Sequence, residues 1–327
     1  MAYLLTGDIG GTKTLLQLST TAEVRTSVLQ KAYASAAYGG LAEIVETFLA
    51  EACIHDIDAA CFALAGPVNG RVVKLTNLPW VIDGDALAAR FDIKHVALIN
   101  DFEAVGYGIA ALQPADLFTV QIGETQPEGD RLVVGAGTGL GVAWLTSQQG
   151  SYQIHQSEAG HMDFAPVNEM QNLLLRYMQQ RHEHVSYERI VSGPGLFAIF
   201  EFMRDNGIAF PSPQLVAAMK VEDAAAVLTR FSQQKDEEIA FMTVELFLSI
   251  YGAFVGNLAL GILPRGGIYV AGGIAAKIAA QLKASEFIHS YMRKGRFAEL
   301  LSKFPVHIVL NQNVGLLGAS LHAHQNA

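Results

Sequence analysis

The sequence predicts an α/β fold with two lobes built on similar sheets, and two observations support this prediction. Strand and helix signals alternate through the first hundred residues, which is typical of a parallel or mixed sheet covered by helices. A strand, a glycine-rich loop and a second strand open the chain, and the same order returns from Arg131 onward. Because no repeat of short fixed period accompanies it, this repeated plan indicates two lobes with related sheet cores.

The composition is that of a compact globular protein. The chain has 327 residues, of which 51% are hydrophobic and 16% are charged, so it is long enough for two domains and unlike a disordered chain. The net charge is −9 and no basic cluster is visible in the sequence, so we expect no nucleic-acid surface. Cys53 and Cys61 lie in apolar surroundings, and no signal peptide is apparent, so we expect a cytoplasmic protein.

The first glycine loop, Gly7 to Thr12, directly follows an apolar strand. Glycine lets backbone N–H groups approach an anion, and threonine adds a hydroxyl donor. The loop resembles a P-loop as far as Lys13, but Thr12 stands where that pattern needs glycine, and residues 15–18 indicate a strand instead of a helix. We therefore expect a tight hairpin turn in which a phosphate meets turn amides.

The second glycine loop, residues 135–141, has glycine at every other position and leads into a strand over residues 142–145. This spacing differs from the G-x-G-x-x-G pattern of dinucleotide-binding folds. Either loop alone could simply close a hairpin. Two such loops, each with an internal threonine, favour a polyphosphate held from two sides. Asp8 within the first loop is best explained by a bound metal ion.

The remaining elements follow from apolar spacing and turn residues. We predict helices over residues 40–52, 85–91, 102–111, 168–181, 195–205, 214–219 and 236–263 and from about residue 275, and buried strands over 59–65, 95–99 and 268–271. The helix at 236–263 is apolar enough to suggest a membrane span. The small-residue spacing of Gly252 and Gly256, with polar Ser249 and Asn257, favours a buried helix with close backbone contacts.

Asn100 and Asp101 follow the buried strand at residues 95–99. Open α/β sheets bind ligands outside the carboxyl ends of their strands, so an aspartate there could accept a proton from a substrate hydroxyl. The alternative is that the two residues only cap the helix that follows.

Glu158 and His161 lie close together around a glycine, and Glu188 follows in a separate segment. A carboxylate beside an imidazole is suited to binding hydroxyl groups, which both donate and accept hydrogen bonds. A metal site is the competing interpretation, although no further histidines stand at metal-ligand spacing nearby. For Glu188 the alternative is an exposed acid at the start of a helix.

Six motifs, taken in order, closely resemble the bacterial glucokinases of the actin/Hsp70/sugar-kinase superfamily. They are Gly-Asp-Ile-Gly-Gly-Thr at 7–12, Leu-Ile-Asn-Asp-Phe at 98–102, Gly-Ala-Gly-Thr-Gly-Leu-Gly at 135–141, Glu-Ala-Gly-His-Met-Asp-Phe-Ala-Pro at 158–166, Ser-Gly-Pro-Gly-Leu at 192–196 and Val-Ala-Gly-Gly-Ile at 270–274. The resemblance continues to the closing segment at 313–318. The cysteine cluster of the zinc-containing relatives is absent from the sequence, so the chain resembles the zinc-free branch.

This resemblance implies a two-lobed, actin-like ATPase fold, related to ribonuclease H, with a cleft between a small and a large α/β domain. The small domain would comprise residues 1–111 and 313–327, and the large domain residues 112–312. The resemblance also implies a homodimer.

The same resemblance implies ATP-dependent phosphorylation of D-glucose to glucose 6-phosphate, the first step of glycolysis, with ATP and Mg²⁺ as cofactors. Asp101 would be the general base, and Asp8 would lie near the metal ion. The implied nucleotide-binding residues are Gly7, Asp8, Ile9, Gly10, Gly11, Thr12, Gly137, Thr138, Gly139, Gly272 and Gly273. The implied sugar-binding residues are Asn100, Asp101, Glu158, His161 and Glu188.

Three other functions remain to be weighed against this one. The first is a kinase for another hexose or an amino-sugar, since polar groups that bind equatorial hydroxyls would be shared. The second is a non-catalytic, sugar-sensing regulator, but the first loop begins at Gly7 and leaves no room ahead of it for a DNA-binding helix-turn-helix. The third is a nucleotide-driven scaffold, in which the acidic and histidine side chains would have no purpose. We expect glucose and ATP as partners, and neither nucleic acid nor a membrane.

Overall fold

The structure is a computed structural model that describes residues 3–75, 77–234, 237–282 and 286–327. The chain separates into two compact units. Unit 1 comprises Met1–Gln113 and Asn313–Ala327, and unit 2 comprises Pro114–Gln312.

Unit 1 is built on a five-stranded sheet in the order β3-β2-β1-β4-β7, with a small β5-β6 hairpin. Its strands are β1 Tyr3–Ile9, β2 Lys13–Thr20, β3 Glu23–Ala34, β4 Ile57–Leu64, β5 Val72–Lys74, β6 Val81–Asp83 and β7 His95–Asn100. Its helices are α1 Leu41–Ala52, α2 Gly84–Phe91, α3 Asp101–Ile109 and α13 Val314–Gln325. Strands β1, β2 and β3 are antiparallel, whereas β1, β4 and β7 are parallel.

Helices cover both faces of the sheet in unit 1. Leu5 on β1 belongs to a cluster that includes the apolar side of α1, while its neighbour Leu4 belongs to a cluster with Ala104 of α3 and Ala319 of α13. Successive side chains of a strand point to opposite faces, so a strand that is buried on both sides must be apolar throughout. This explains the continuous apolar runs that predict β4 and β7.

Unit 2 is built on a six-stranded sheet in the order β11-β10-β9-β12-β13-β8. Its strands are β8 Leu117–Gln121, β9 Arg131–Ala136, β10 Leu140–Gln148, β11 Ser151–Ser157, β12 Gly267–Ala271 and β13 Val306–Val309. Its helices are α4 Glu169–Gln179, α5 Gly193–Asp205, α6 Pro213–Met219, α7 Ala224–Phe231, α8 Glu238–Ile262, α9 Gly273–Lys277, α10 Ala279–Leu282, α11 Glu286–Met292 and α12 Ala298–Ser302.

The two sheets share one plan. Strands β9, β10 and β11 are antiparallel, and β12 and β13 continue parallel to β9, as β4 and β7 continue from β1 in unit 1. Unit 2 adds the antiparallel strand β8 at the outer edge. The predicted α/β class and the predicted pair of similar sheet cores are therefore confirmed.

Helix α8 is the central helix of unit 2. Among the described residues it alone has the length and hydropathy of a membrane span, and 78% of its most apolar window is buried inside the protein. A Cβ atom added at Gly252 would lie 2.0 Å from the carbonyl oxygen of Phe287 in α11. The prediction of a buried helix with close backbone contacts is thus confirmed. Residue 236, the predicted first residue of this helix, lies outside the described ranges.

Apolar spacing does not predict every element. Helix α7 is short and rich in alanine, so its sequence carries little periodicity. Helix α9 begins at Gly273, ahead of the predicted start near residue 275. Strand β3 is largely exposed, and an exposed strand lacks the apolar run that marks a buried one.

Candidate functional site

The first glycine loop is the turn of the β1–β2 hairpin. The strands pair from Tyr3 with Thr20 to Ile9 with Thr14, and the Gly10 N–H donates to the Lys13 carbonyl oxygen at 3.0 Å. The loop therefore leads from one strand into the next, as the sequence predicts, and any anion it binds meets turn amides.

Ser35 holds this loop in place, although it was not among the predicted site residues. Its N–H donates to the Thr12 carbonyl oxygen at 3.1 Å, and its hydroxyl donates to the Gly10 carbonyl oxygen at 2.9 Å. The Thr14 hydroxyl lies 3.0 Å from the Ser35 hydroxyl, and both residues are fully buried. Pairing of β2 with β3, which sets Lys13 opposite Ala34, brings Ser35 to the loop, so no local motif marks it.

Asp8 lies near the end of β1 with its side chain exposed to solvent. The protein around its carboxyl raises the pKa of Asp8 by desolvation, and Lys13 opposes part of this increase.

The donor set at Asp8 suits Mg²⁺ held jointly with a nucleotide. In the ranges that the structure describes, no group of three or more histidine, cysteine, aspartate or glutamate side chains is arranged to hold a metal ion. Mg²⁺ commonly takes one or two carboxylates, with water and substrate phosphates supplying the remaining oxygens. The exposed carboxylate of Asp8, beside a glycine loop, fits this type of binding.

Asn100 and Asp101 lie at the junction of β7 and α3. The Asn100 side-chain oxygen accepts from the N–H groups of Phe102 at 2.8 Å and Glu103 at 3.2 Å, so Asn100 caps α3. Its amide also donates to the Gly66 carbonyl oxygen at 2.9 Å. The capping bonds that the alternative interpretation expects are thus present at Asn100. An amide has two hydrogens, so this role still leaves it one hydrogen for a ligand.

Asp101 is the first residue of α3 and is partly exposed, unlike the buried Asn100. Its carboxylate accepts from the Phe102 N–H at 2.9 Å. Capping by Asn100 fixes the backbone of this junction. As a result, Asp101 lies on a rigid support at the carboxyl end of a parallel strand, where α/β sheets place their ligands.

The second glycine loop is the turn of the β9–β10 hairpin in unit 2. Within it, the Gly137 N–H donates to the Gly139 carbonyl oxygen at 2.9 Å. The Gly193 N–H, at the start of α5, donates to the Gly137 carbonyl oxygen at 2.7 Å. Both glycine loops of the chain are therefore hairpin turns held by bonds from a distant segment.

Glu158, His161 and Glu188 lie together in unit 2. The His161 Nε2 is 4.0 Å from a carboxylate oxygen of Glu158 and 3.9 Å from one of Glu188. All three side chains are at least partly exposed. Glu188 does not begin a helix, since α5 starts at Gly193, so the alternative interpretation of this residue is wrong. The cluster offers two carboxylates and an imidazole to a polar ligand.

Glu188 also binds the second glycine loop directly. Its carboxylate accepts from the Leu140 N–H at 2.9 Å, and its own N–H donates to the Gly160 carbonyl oxygen at 2.9 Å. A Cβ atom added at Gly139 would lie 2.6 Å from the Glu188 carboxylate, and one at Gly160 would lie 2.0 Å from the Leu140 carbonyl oxygen. Both positions therefore need glycine for this close packing of loop and acidic cluster.

A cavity of about 430 Å³ in unit 2 adjoins the same loop. Gly137 and Thr138 form part of its wall, and Gly273 at the start of α9 forms another part. Gly272, which precedes it, has a φ of 92° and turns the chain from β12 into α9. The structure thus brings the two predicted groups of nucleotide-binding glycines in unit 2 to one cavity.

Several residues that line this cavity were not predicted from the sequence. Phe197 of α5, Thr229 of α7 and Lys277 of α9 also line it. Phe197 directly follows the Ser-Gly-Pro-Gly-Leu motif, which was a usable signal. Thr229 lies on the helix that apolar spacing does not predict, so nothing in the sequence points to it.

The predicted site residues divide between the units. Unit 1 contains Gly7–Thr12, Asn100 and Asp101, whereas unit 2 contains Gly137–Gly139, Glu158, His161, Glu188, Gly272 and Gly273.

Comparison with known proteins identifies the family. The sequence profile of the glucokinase family matches residues 5–326. A glucokinase from Nostoc sp. is 44% identical over 99% of both chains, and one from Synechocystis sp. is 40% identical over 98% of both. The crystal structure of a glucokinase from an Antarctic psychrotroph has a TM-score of 0.81 at 29% identity and covers 99% of both chains.

A glucokinase from Balamuthia mandrillaris, solved in complex with glucose, has a TM-score of 0.79 at 22% identity and covers 98% of this chain and 93% of its own. These structural matches confirm the predicted fold class, and the sequence matches confirm the resemblance carried by the six motifs. The chain belongs to the glucokinase family.

Proposed function

We propose that this chain catalyses the ATP-dependent phosphorylation of D-glucose to glucose 6-phosphate. Its similarity to glucokinases extends over nearly the whole of both sequences. The observation that carries the proposal is the contact between Glu188 and the second glycine loop. In this contact, a side chain suited to binding hydroxyl groups lies beside a loop whose amides are suited to binding phosphate, which supports a transfer between a sugar and a nucleotide.

ATP would bind with its adenosine in the cavity lined by Thr138, Phe197 and Gly273. A volume of about 430 Å³ lies in the range of ligand pockets, roughly 300–1,000 Å³. The phosphates would reach the turn amides of residues 137–139 and of residues 7–12. Lys277, which lines the same cavity, adds a positive charge for an anionic ligand.

Asp8 would hold Mg²⁺ together with phosphate oxygens of the nucleotide. The ion, when bound, neutralises negative charge on the phosphates. Ser35 would act indirectly. It donates hydrogen bonds to the carbonyl oxygens of Gly10 and Thr12 and so fixes the turn beside Asp8.

Asp101 would act as the general base. As the sugar 6-hydroxyl oxygen bonds to the γ-phosphorus, the bond from that phosphorus to the bridging oxygen breaks and ADP leaves. The hydroxyl proton passes to the Asp101 carboxylate, so that atoms and charge balance. Asn100 would hold Asp101 in place through the cap of α3 and bind the sugar with its second amide hydrogen.

Glucose would be recognised by Glu158, His161 and Glu188 as well as by Asn100 and Asp101. Carboxylates accept hydrogen bonds from sugar hydroxyls, and the imidazole can donate or accept. A site built to bind hydroxyl groups discriminates strongly against analogues that lack one, because its own polar groups are then left without partners.

We also propose that units 1 and 2 are the small and large domains of the kinase. The homodimer and the cytoplasmic location belong to the same proposal and rest on family membership.

The test is the Asp101→Asn variant, assayed for ADP release with glucose. Loss of the base should lower kcat by about 10²- to 10⁴-fold, while the variant stays folded, because asparagine has nearly the same shape. Asp92→Asn is the matched control, since Asp92 is exposed, ends α2 in a left-handed conformation that asparagine accepts, and should retain full activity. Near-normal kcat in Asp101→Asn would exclude the mechanism. Mannose and glucosamine in the same assay test the alternative substrates.

A further inference from the structure

A second cavity, of about 320 Å³, lies wholly within unit 1. Polar and charged side chains from three segments line it, namely Arg71, Lys94, His95, His322 and Asn326. His95 begins β7, whereas the proposed base follows the other end of the same strand, about 17 Å away at the usual rise per residue. The cavity is therefore distinct from the proposed catalytic residues.

The basic character of this cavity is unexpected in a chain with a net charge of −9. Arg71 precedes β5, Lys94 precedes β7, and His322 lies on the last helix, so these residues are far apart in the sequence. For this reason, the sequence alone shows no basic cluster. Folding brings these residues together into a basic cluster.

Arg71 is held in a fixed position at the wall of the cavity. Its Nε donates to the carboxylate of Asp85, and its Nη1 donates to the Val96 carbonyl oxygen at 3.0 Å. The pair with Asp85 is exposed, so solvent screens it and the guanidinium keeps much of its attraction for an anion. Within the described residues, Lys94 has no carboxylate at ion-pair distance and is exposed.

His322 brings an unsatisfied polar atom to the same place. Within the residues that the structure describes, its buried Nδ1 has no hydrogen-bond partner, and its ring packs against Tyr107 at 4.8 Å between centroids. Burial lowers the pKa of His322. A buried polar atom without a partner lowers the stability of the fold, and the His322 residue that carries it also lines the basic cavity.

We propose that this cavity binds a small phosphorylated anion. Arg71 and Lys94 would supply charge-assisted hydrogen bonds to phosphate oxygens, and His95, His322 and Asn326 would supply further polar contacts. Free phosphate and the phosphoryl group of a sugar phosphate share this chemistry. The volume admits either one. A bound anion would join the start of β7 to the end of α13, and it requires no part of the proposed catalytic site.

The first experiment measures how fast individual lysines of the intact protein are acetylated, by peptide mass spectrometry. Samples contain phosphate, glucose 6-phosphate or chloride at one ionic strength. We expect phosphate or glucose 6-phosphate to slow acetylation of Lys94 several-fold relative to chloride. The rate at Lys74, an exposed lysine of unit 1 outside the cavity, should not change. Stronger protection by glucose 6-phosphate identifies a sugar phosphate as the ligand, and equal protection identifies the phosphate group alone.

Two results would overturn the proposal at this stage. One is an unchanged rate at Lys94 with both anions. The other is equal slowing at Lys94 and Lys74, which indicates general screening of charge.

The second experiment locates the binding by calorimetry with inorganic phosphate. Lys94→Ala should bind about tenfold more weakly, as expected for loss of a charged hydrogen-bond donor, whereas Lys74→Ala should bind as the unaltered protein does. Lys94 is exposed, so its removal should not prevent folding. Unchanged binding in Lys94→Ala assigns the phosphate to the glycine loops and rejects the site. Asp101→Asn should bind phosphate normally, so the site can be tested even if the proposed catalytic role fails.

Discussion

At the scale of single residues, the Glu188 carboxylate contacts two parts of the proposed site. One of its oxygens accepts from the Leu140 N–H at the second glycine loop, and the other faces His161 at 3.9 Å. A change in the loop must therefore move a group proposed to bind the sugar. On the proposed assignment, sugar recognition and phosphate placement are coupled through the Glu188 side chain.

Gly139→Ala tests this coupling. The new Cβ would lie 2.6 Å from the Glu188 carboxylate, which must move because it is the mobile end of a side chain, and the bond to Leu140 would be lost. Since hydrogen bonds to charged groups contribute about 1.5–3 kcal/mol, we expect glucose to bind roughly tenfold or more weakly in calorimetry without nucleotide. Folding should be retained. Gly137→Ala is the control, as its Cβ meets no atom within 4 Å. Equal glucose affinity in both variants would contradict the coupling.

Ser35→Ala tests the support of the first glycine loop. Removing the hydroxyl leaves the half-buried Gly10 carbonyl oxygen and the fully buried Thr14 hydroxyl without this partner, at a cost of about 1–3 kcal/mol in stability. We expect KM for ATP to rise more than kcat falls, because Ser35 positions the loop and does not touch the substrate. Ser27→Ala, at an exposed position in β3, should change neither stability nor KM. A lower melting temperature with unchanged KM would reduce Ser35 to a structural residue.

Residues in a sequence motif and residues brought to the site by tertiary packing differ in how well the sequence alone identifies them. Asp101 lies in a motif whose chemistry is visible in a few consecutive letters, whereas Glu188 lies between two motifs and is assigned through the family resemblance. Ser35 is one serine among many, and its role depends on the register of β2 against β3. Lys94 and His322 meet only because α13 packs beside the parallel strands. Contacts that depend on strand register or helix packing leave no local pattern in the sequence.

At the scale of elements, α8 shows how glycine spacing sets helix packing. Gly252 faces the backbone of α11, whereas Gly261 near the end of the same helix is exposed. The same substitution should therefore have opposite effects at the two positions. Sequence spacing identifies α8 as buried, but it does not identify α11 as the partner, since that pairing depends on the fold between residues 262 and 286.

Gly252→Ala should destabilise the protein by about 1–3 kcal/mol, because the Cβ would meet the Phe287 carbonyl oxygen and backbone cannot move aside easily. Gly261→Ala has no atom within 4 Å of its Cβ and should stabilise the helix by about 0.5–1 kcal/mol. Urea unfolding followed by circular dichroism measures both. If the two variants have the same unfolding midpoint, α8 and α11 do not pack at Gly252 as closely as the structure shows.

At the scale of the whole molecule, the chain repeats one sheet plan and gives each copy different site residues. Hairpin turns with glycine and parallel strands with apolar runs are strong local signals, and they predict β1, β2, β4 and β7 of unit 1 and β9, β10 and β12 of unit 2. Strand β13 lies inside the sheet of unit 2 and was not predicted. The exposed strand β3 and the short helices of unit 2 lack such signals. The cavity near Thr138 could not be predicted in full, because its wall combines α5, α7 and α9 with the loop.

The division of site residues between units predicts how ligands protect the backbone. The cavity proposed for adenosine is formed by unit 2 alone, whereas the proposed sugar-binding residues lie in both units. Binding stabilises the segments that it orders, and saturation at a hundredfold excess over Kd contributes about 2.7 kcal/mol. Hydrogen exchange measured by mass spectrometry should therefore slow around α5, α7 and α9 with adenosine.

Glucose should instead slow exchange at the β7–α3 junction of unit 1 and around residues 158–161 of unit 2 in the same samples. The Asp101→Asn variant is the control, because it should keep the adenosine pattern unchanged and lose protection mainly at the β7–α3 junction. Protection by glucose in unit 2 alone would remove Asn100 and Asp101 from the sugar site. The proposed base would then have no substrate to act on, and phosphoryl transfer would need a different proton acceptor.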